Sequence, residues 1–393
     1  MPTGKFPEGV AVAPVHLDEE ADDHVLAHHD RNVGVSPLRA AIVGTGGIAR
    51  IHAEALRSLS DEVELVAGVD VDAERLAAFG DRHDVALRYT DLGKMLASVE
   101  PDLVHICTPP GLHHAQVLAC LGAGATALVE KPPTLSLAEL DELAAAEGAD
   151  GPWVATVFQH RFGSGARRLQ DVMASGALGR PLLAVCHTTW LREQSYFDVP
   201  WRGRWDTEGG GPTMGHGIHQ MDLLVALLGD WTEVSAIARR QARAVDTEDL
   251  SVAHVTFANG AVATVVNSVL SPREESYIRI DFERATVELT HLYGYGDDDW
   301  RITPAPGHKE VVTAAWAAGD AGVSSGHRAQ LAHVLRCLRE HRPPPVTSAD
   351  ARRTMQLVAG VYASAFERTP VTPADLAAPS PFHAGMSGTG PRW

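Results

Sequence analysis

The stretch Arg39-Ala40-Ala41-Ile42-Val43-Gly44-Thr45-Gly46-Gly47-Ile48-Ala49 decides the fold. It opens as an apolar run, breaks into glycines and continues with Ile51, Ala55 and Leu59 at helical spacing. The pattern predicts a strand, a tight turn and a helix, and the turn reads G-x-G-x-x-A. Gly44 permits the turn, Gly46 lets a pyrophosphate approach the backbone, and Ala49 keeps the helix close to the strand. The helix start at Gly47 and Ile48 offers free N–H groups and a positive dipole end to phosphates. A plain glycine-rich turn can look the same, so the flanking sequence must arbitrate.

A second strand, Val63–Val69, ends in Asp70. A carboxylate at that strand end accepts hydrogen bonds from both ribose hydroxyls and repels a 2′-phosphate, which favours NAD over NADP. Arg75, close by, softens that preference. Asp70 could also serve as a helix N-cap for the segment that follows. The alternation continues with a strand near Ala86–Tyr89 and a buried strand, Leu103–Cys107, broken by Thr108-Pro109-Pro110-Gly111. A helix from His113 to Ala123 and a strand at Thr126–Val129 come next, followed by a capping box at Ser136 and Glu139. Trp153–Phe158 is the last strand of the set. Such alternation predicts a parallel sheet covered on both faces. Its strand-end loops gather the glycine turn, Asp70, Thr108–Gly111, Glu130-Lys131 and Gln159–Arg161 on one rim.

Glu130 and Lys131 stop the Thr126–Val129 run, and Pro132-Pro133 forbid its continuation. Open parallel sheets place their ligands at the C-terminal ends of such strands. A strand-end surface ion pair is the plainer explanation for these two residues.

After Phe162 the beat changes. Strand-like runs at Leu182–Trp190, Glu233–Ala238, Ser251–Ala258, Ala261–Ser268, Tyr277–Phe282 and Thr286–Leu289 predict an antiparallel sheet. Asn259-Gly260 is a strong hairpin signal. The fold class is therefore an α/β Rossmann parallel sheet followed by an α+β domain with a large antiparallel sheet. One helix in this half is rich in chemistry: Gly209-Gly210-Gly211 leads through Met214-Gly215-His216-Gly217-Ile218-His219 to Asp222, and Gly229 ends it. His219 and Asp222 share a helix face. The triple glycine lets backbone come close to something. Upstream, Trp201-Arg202-Gly203-Arg204-Trp205 offers aromatic faces and guanidinium groups, which suit a hydroxyl-rich ring. His219 could equally be a hydrogen-bonded interface histidine.

The 393 residues suffice for two domains, and the net charge of −17 argues against nucleic acid or an anionic membrane as partner. The four cysteines fall in no metal-ligand spacing and suit a reducing cytoplasm. No apolar run is long enough to span a bilayer. Residues 1–36 hold seven acidic and two basic residues and read as a disordered acidic leader. Residues 37–158 read as a dinucleotide-binding domain, 159–376 as a second, α+β domain, and 377–393, rich in Pro, Gly and Ser, as a flexible tail.

Taken together, Gly44–Ala49, Asp70, Thr108-Pro109 with His113, Glu130-Lys131-Pro132, Trp201-Arg202-Gly203, the triple glycine and Gly217-Ile218-His219 with Asp222 resemble the glucose–fructose oxidoreductase, inositol dehydrogenase and rhizopine-catabolism (Gfo/Idh/MocA) family. The resemblance runs over about residues 39–372. It implies oxidation of a hydroxyl on a sugar, cyclitol or related polyol, or the reverse reduction. It also implies a homodimer or homotetramer built through the exposed sheet face. The family lysine maps to Lys131 and the family histidine to His219. Inositol-dehydrogenase-like members carry aspartate four positions before that histidine, where this chain has Gly215. Pro109 or Pro110 likewise stands where asparagine is common.

Lys131 and His219 are the expected catalytic pair. Gly44, Gly46, Gly47, Ile48, Asp70, Thr108, Pro109, His113, Glu130 and Lys131 are the expected cofactor contacts, with NAD as cofactor and no metal. Lys131, Arg161, Trp201, Arg202, His216, His219 and Asp222 are the expected substrate contacts. Two other functions fit the same residues: an NAD-assisted glycoside hydrolase or lyase with transient redox, and a non-catalytic NAD-binding regulator.

Overall fold

A computed structural model describes residues 36–391 and 393; the acidic leader lies outside the described residues, apart from Ser36. The first sheet holds β1 (Leu38–Val43), β2 (Val63–Val69), β3 (Leu87–Tyr89), β4 (Leu103–Ile106), β5 (Thr126–Val129) and β6 (Val154–Thr156). All neighbours are parallel, in the order β3-β2-β1-β4-β5-β6. Every residue of β4, β5 and β6 is buried, as expected of strands covered on both faces. Strand order reverses between β1 and β4, which opens a crevice beyond their C-terminal ends.

The second sheet holds β7 (Pro181–Leu191), β8 (Trp231–Arg239), β9 (Leu250–Phe257), β10 (Val262–Ser268), β11 (Leu270–Phe282), β12 (Ala285–His291) and β13 (Trp300–Pro304). Its order is β13-β12-β11-β7-β10-β9-β8, antiparallel throughout except for β7 with β10. The Asn259-Gly260 turn joins β9 to β10, with Gly260 at φ 89°. One face is apolar and buried: Ala253, Val255, Ala263, Val265, Ile278 and Ile280. Helix Ser348–Glu367 packs against β8, so closely that a Cβ at Gly360 would stand 3.0 Å from Trp231 and Val234.

Three expectations change. The edge strand β13 and the helices Ser164–Ala174 and Lys309–Ala317 carry no clean signal in sequence. The helix expected from Met214 is two pieces, Pro212–Gly215 and Ile218–Leu228, broken at His216-Gly217. Gly217 lies against β10; a Cβ there would fall 1.9 Å from Asn267 Oδ1. The described part of the tail is docked rather than loose from Phe382 to Met386. Phe382 and Met386 are buried, and His383 Nε2 lies 2.9 Å from Asp141. Its Pro and Gly content set the turns, while those two apolar side chains supply burial.

Candidate active site

The glycine turn, the strand ends and the second sheet's near edge enclose a cleft of about 940 Å³. Gly44, Gly46, Gly47, Ile48, Asp70, Thr108, Pro109, Glu130, Lys131, Trp201, Arg202 and His216 all line it. Gly44 has φ 84°, and a Cβ there would clash with Cys107 and Thr108 at 2.9 Å and 2.8 Å. Gly46 and Gly47 are different: a Cβ on either would meet open space, and the helix Gly47–Arg57 has no side-chain cap. Uncapped N–H groups therefore face the cleft, and a pyrophosphate fits that cradle.

Asp70 Oδ2 accepts from the backbone and hydroxyl of Thr45, both at 2.8 Å, and Oδ1 accepts from Asp72 N at 2.9 Å. Arg75 Nε stands 3.2 Å from Oδ2. Burial works against the charge of Asp70, but the hydrogen bonds from Asp72 and Thr45 outweigh it and lower its pKa. Asp70 thus stays ionised at the end of β2, with a half-exposed guanidinium beside it. The helix cap expected as its alternative role belongs to Asp72, which accepts from Glu74 N and Arg75 N.

Lys131 Nζ donates to Gly215 O at 2.8 Å and so ties the end of β5 to the turn that precedes His219. Burial lowers its pKa, opposed by the carboxylates of Glu130 and Glu208. Glu130 does not pair with the ammonium. Its Oε1 sits 3.0 Å from both His52 Nε2 and His327 Nε2, and its Oε2 accepts from Lys131 N at 3.2 Å. Burial opposes the Glu130 charge, yet the hydrogen bonds from His327 and His52 hold its carboxyl well below the usual range. Among the described residues, His52, Glu130 and His327 are the group with metal-ligand spacing, their ligand atoms within 4.8 Å of one another. Hydrogen bonding among the three accounts for that geometry, and it fixes the strand end that carries Lys131.

His216 lines the cleft. Its Nε2 lies 3.3 Å from Tyr196 Oη, and its ring stands edge-on to Trp190. His219, expected at the substrate, is not among the residues that line the cleft: it is buried against His160 and Tyr293, and neither ring nitrogen has a hydrogen-bond partner among the described residues. Burial, then the Lys131 charge, holds the His219 pKa well below its ordinary value. Both imidazoles are therefore neutral at neutral pH, and after burial the Lys131 charge has the largest effect on each. Arg202 lies over the rings of Tyr196 and Trp201, its Cζ 3.9 Å and 4.4 Å from their centroids.

Other expected contacts stand elsewhere. Arg161 and Asp222 form a bidentate pair, 2.7 Å and 2.5 Å, with Thr354 adding a third bond at 2.9 Å. Neither lines the cleft; they lock the loop after β6 to the helix Ile218–Leu228. His113 is also withdrawn, its ring nitrogens 2.8 Å from the carbonyl oxygens of Thr108 and Pro132, so it braces two rim loops. The triple glycine approaches protein rather than ligand. A Cβ at Gly211 would lie 1.9 Å from Glu248 O, and Glu248 Oε2 accepts from Gly211 N at 3.0 Å. Sequence reasoning missed Trp190, Arg192, Tyr196, Glu208 and Tyr293 on the cleft wall. Only Glu208, an acid directly before the glycines, carried a usable signal.

A glycine cradle at a strand-order reversal, an ionised acid at the second strand end and a cleft-lining lysine beyond the fifth strand fit a nicotinamide-dinucleotide oxidoreductase. The family's oxidoreductase NAD-binding Rossmann fold matches residues 38–156, and the GFO/IDH/MocA C-terminal domain matches residues 166–288. The chain belongs to the Gfo/Idh/MocA family, and it is an NAD(P)-dependent oxidoreductase acting on CH–OH groups. It is 28% identical to the D-apiose dehydrogenase of Paraburkholderia graminis, covering 88% of this chain and 92% of the relative. Identity to the D-glucoside 3-dehydrogenase of Escherichia coli is also 28%, over 84% and 96% of the two chains. The WlbA dehydrogenase of Bordetella pertussis, solved with NADH and UDP-GlcNAcA, superimposes with a TM-score of 0.76 at 26% identity, over 86% and 99%. Among the described residues, no helix is long and apolar enough to cross a membrane.

Proposed function

We propose that this protein is an NAD-linked dehydrogenase of a sugar, cyclitol or related polyol, with the reacting hydroxyl held between Lys131 and the His216–His219 turn. The observation that carries the reading is the Lys131 Nζ bond to Gly215 O, which brings a strand end of residues 37–158 to a helix of residues 159–376. NAD would lie over Gly44–Ile48, Asp70 and Thr108-Pro109, and when bound it supplies the hydride acceptor or donor. Asp70, ionised and hydrogen-bonded, supports NAD over NADP. Lys131 donates to the substrate oxygen and stabilises negative charge there. His219, neutral and with both nitrogens unpartnered, accepts the hydroxyl proton in the oxidative direction. Trp201, Arg202 and His216 hold the remaining hydroxyls. Substrates of the relatives, apiose and glucosides, support a carbohydrate.

The exposed face of the second sheet supports a homodimer or homotetramer, and four unpaired buried cysteines support a cytoplasmic setting. The test is a screen of aldoses, cyclitols, polyols and amino-sugars with NAD and NADP in parallel, followed by Lys131→Ala on the best substrate. NADH formation abolished by the variant supports the reading. NAD binding with no turnover on any member would favour the regulator, and release of reducing sugar without net NADH would favour the hydrolase.

A further inference from the structure

Lys131 has two carboxylates near it, and they are not equivalent. Both oxygens of Glu130 are committed, Oε1 to His52 and His327 and Oε2 to a backbone N–H. Glu208 is buried on the cleft wall. Its Oε2 accepts from Gly203 N at 2.5 Å. Its Oε1 has a single charged neighbour at close range, Arg202 Nη1 at 3.7 Å, beyond hydrogen-bond distance. That oxygen points at the turn bearing Gly215: a Cβ built on Gly215 would lie 3.5 Å from it, ordinary van der Waals contact. The carbonyl of the same Gly215 receives the Lys131 ammonium.

We propose that Glu208 is the positioning residue of the Lys131 ammonium: its carboxylate, reaching the turn at Gly215 from the preceding loop, keeps that amine charged for its bond to the substrate oxygen. This rests on the reading of Lys131 as the oxygen-side donor. Burial favours a neutral amine at residue 131; Glu130 opposes this most, and Glu208, which meets the same turn, opposes it next. The groups facing Glu208 are Arg202 on its own loop, Lys131 from β5 and Glu248 ahead of β9. Burial pushes Glu208 up to about 7, against the opposing pull of Gly203 N, Arg202 and Lys131. Its ionisation therefore falls in the working pH range and couples the charge of the cleft to pH.

Relocation tests this. Glu208→Gln keeps an oxygen for Gly203 N and removes the charge. Gly215→Asp, added to it, returns a carboxylate to the same space, where the Cβ is tolerated. The amine is read directly, without substrate or cofactor, by competitive acetylation of Lys131 across pH with mass spectrometry. Glu208→Gln should lower the Lys131 pKa by about one unit, equivalent to about tenfold faster labelling below the pKa, and Glu208→Gln/Gly215→Asp should return it. The alkaline limb of kcat/KM, set by loss of the Lys131 proton, should move down with it in Glu208→Gln and recover in the double variant, while the melting profile stays cooperative. An unchanged labelling curve in Glu208→Gln overturns the proposal, as does a shift that the added aspartate leaves in place. If Lys131→Ala itself turned over normally, the role of Lys131 in chemistry would fail, while the labelling curves would still report whether Glu208 sets its charge.

Discussion

At the scale of single residues, charge placement governs the cleft. Lys131→Ala should reduce kcat by about 10²-fold or more while NAD affinity, measured by fluorescence titration, stays near wild type. Asp70→Ser removes the anion at the ribose position and leaves the Arg75 guanidinium beside it, so the ratio of kcat/KM for NAD over NADP should fall. A wild-type enzyme that already prefers NADP would contradict that role. Glu208 also links stability to pH. Its folded pKa is raised above the unfolded carboxylate value, so its charge opposes folding. No cost exists below the unfolded value; the cost grows as pH rises and is complete once pH passes the folded pKa of about 7. Glu208→Gln should therefore gain melting temperature relative to wild type between about pH 5 and about pH 8, measured by scanning calorimetry. A difference that shrinks as pH rises would contradict it.

At the scale of elements, close backbone approach explains the glycines of the second half. Gly211 abuts Glu248 O, a backbone atom that cannot swing aside. Gly211→Ala should destabilise by about 1–3 kcal/mol in denaturant titration, the usual range for overpacking. The same Glu248 accepts at Oε1 from Thr213 N and Tyr362 Oη at 3.0 Å and 2.9 Å, so its carboxylate ties three segments together. The sequence made the Rossmann half legible almost strand by strand, because the period of apolar residues, the turn glycines and the caps all agreed there. In the second half the central strands were legible from alternation and from Asn259-Gly260. Strand β13 was not, being a short edge strand ending in Pro304. For the candidate site, local motifs pointed to Gly44, Asp70 and Lys131, which line one cleft. Arg161 and Asp222 looked available in sequence, yet they satisfy each other across 61 positions. Tyr293 and Trp190 reach the cleft only through pairing of the second sheet, which no local pattern encodes.

At the scale of the whole molecule, the outer face of the second sheet and the junction of the two halves each carry a prediction. The outer face of the second sheet leaves Leu183, Ile237 and Val262 exposed at 45%, 57% and 42%. Leu183 and Val262 are cross-strand partners, so the apolar surface is continuous across β7 and β10. Light scattering should give a dimer or tetramer mass, and Leu183→Glu with Val262→Glu should shift it towards the monomer; a wild-type monomer at micromolar concentration would contradict the sheet-face interface. Within one chain, the central claim is that a lysine from the parallel sheet and a histidine from the helix over the second sheet act on one hydroxyl. Single-turnover NADH formation from preformed enzyme–NAD complex, compared among wild type, Lys131→Ala and His219→Ala, tests this most directly. The account predicts that both variants lose hydride transfer by about 10²-fold or more with NAD affinity retained. Hydride transfer at the wild-type rate in His219→Ala would contradict it.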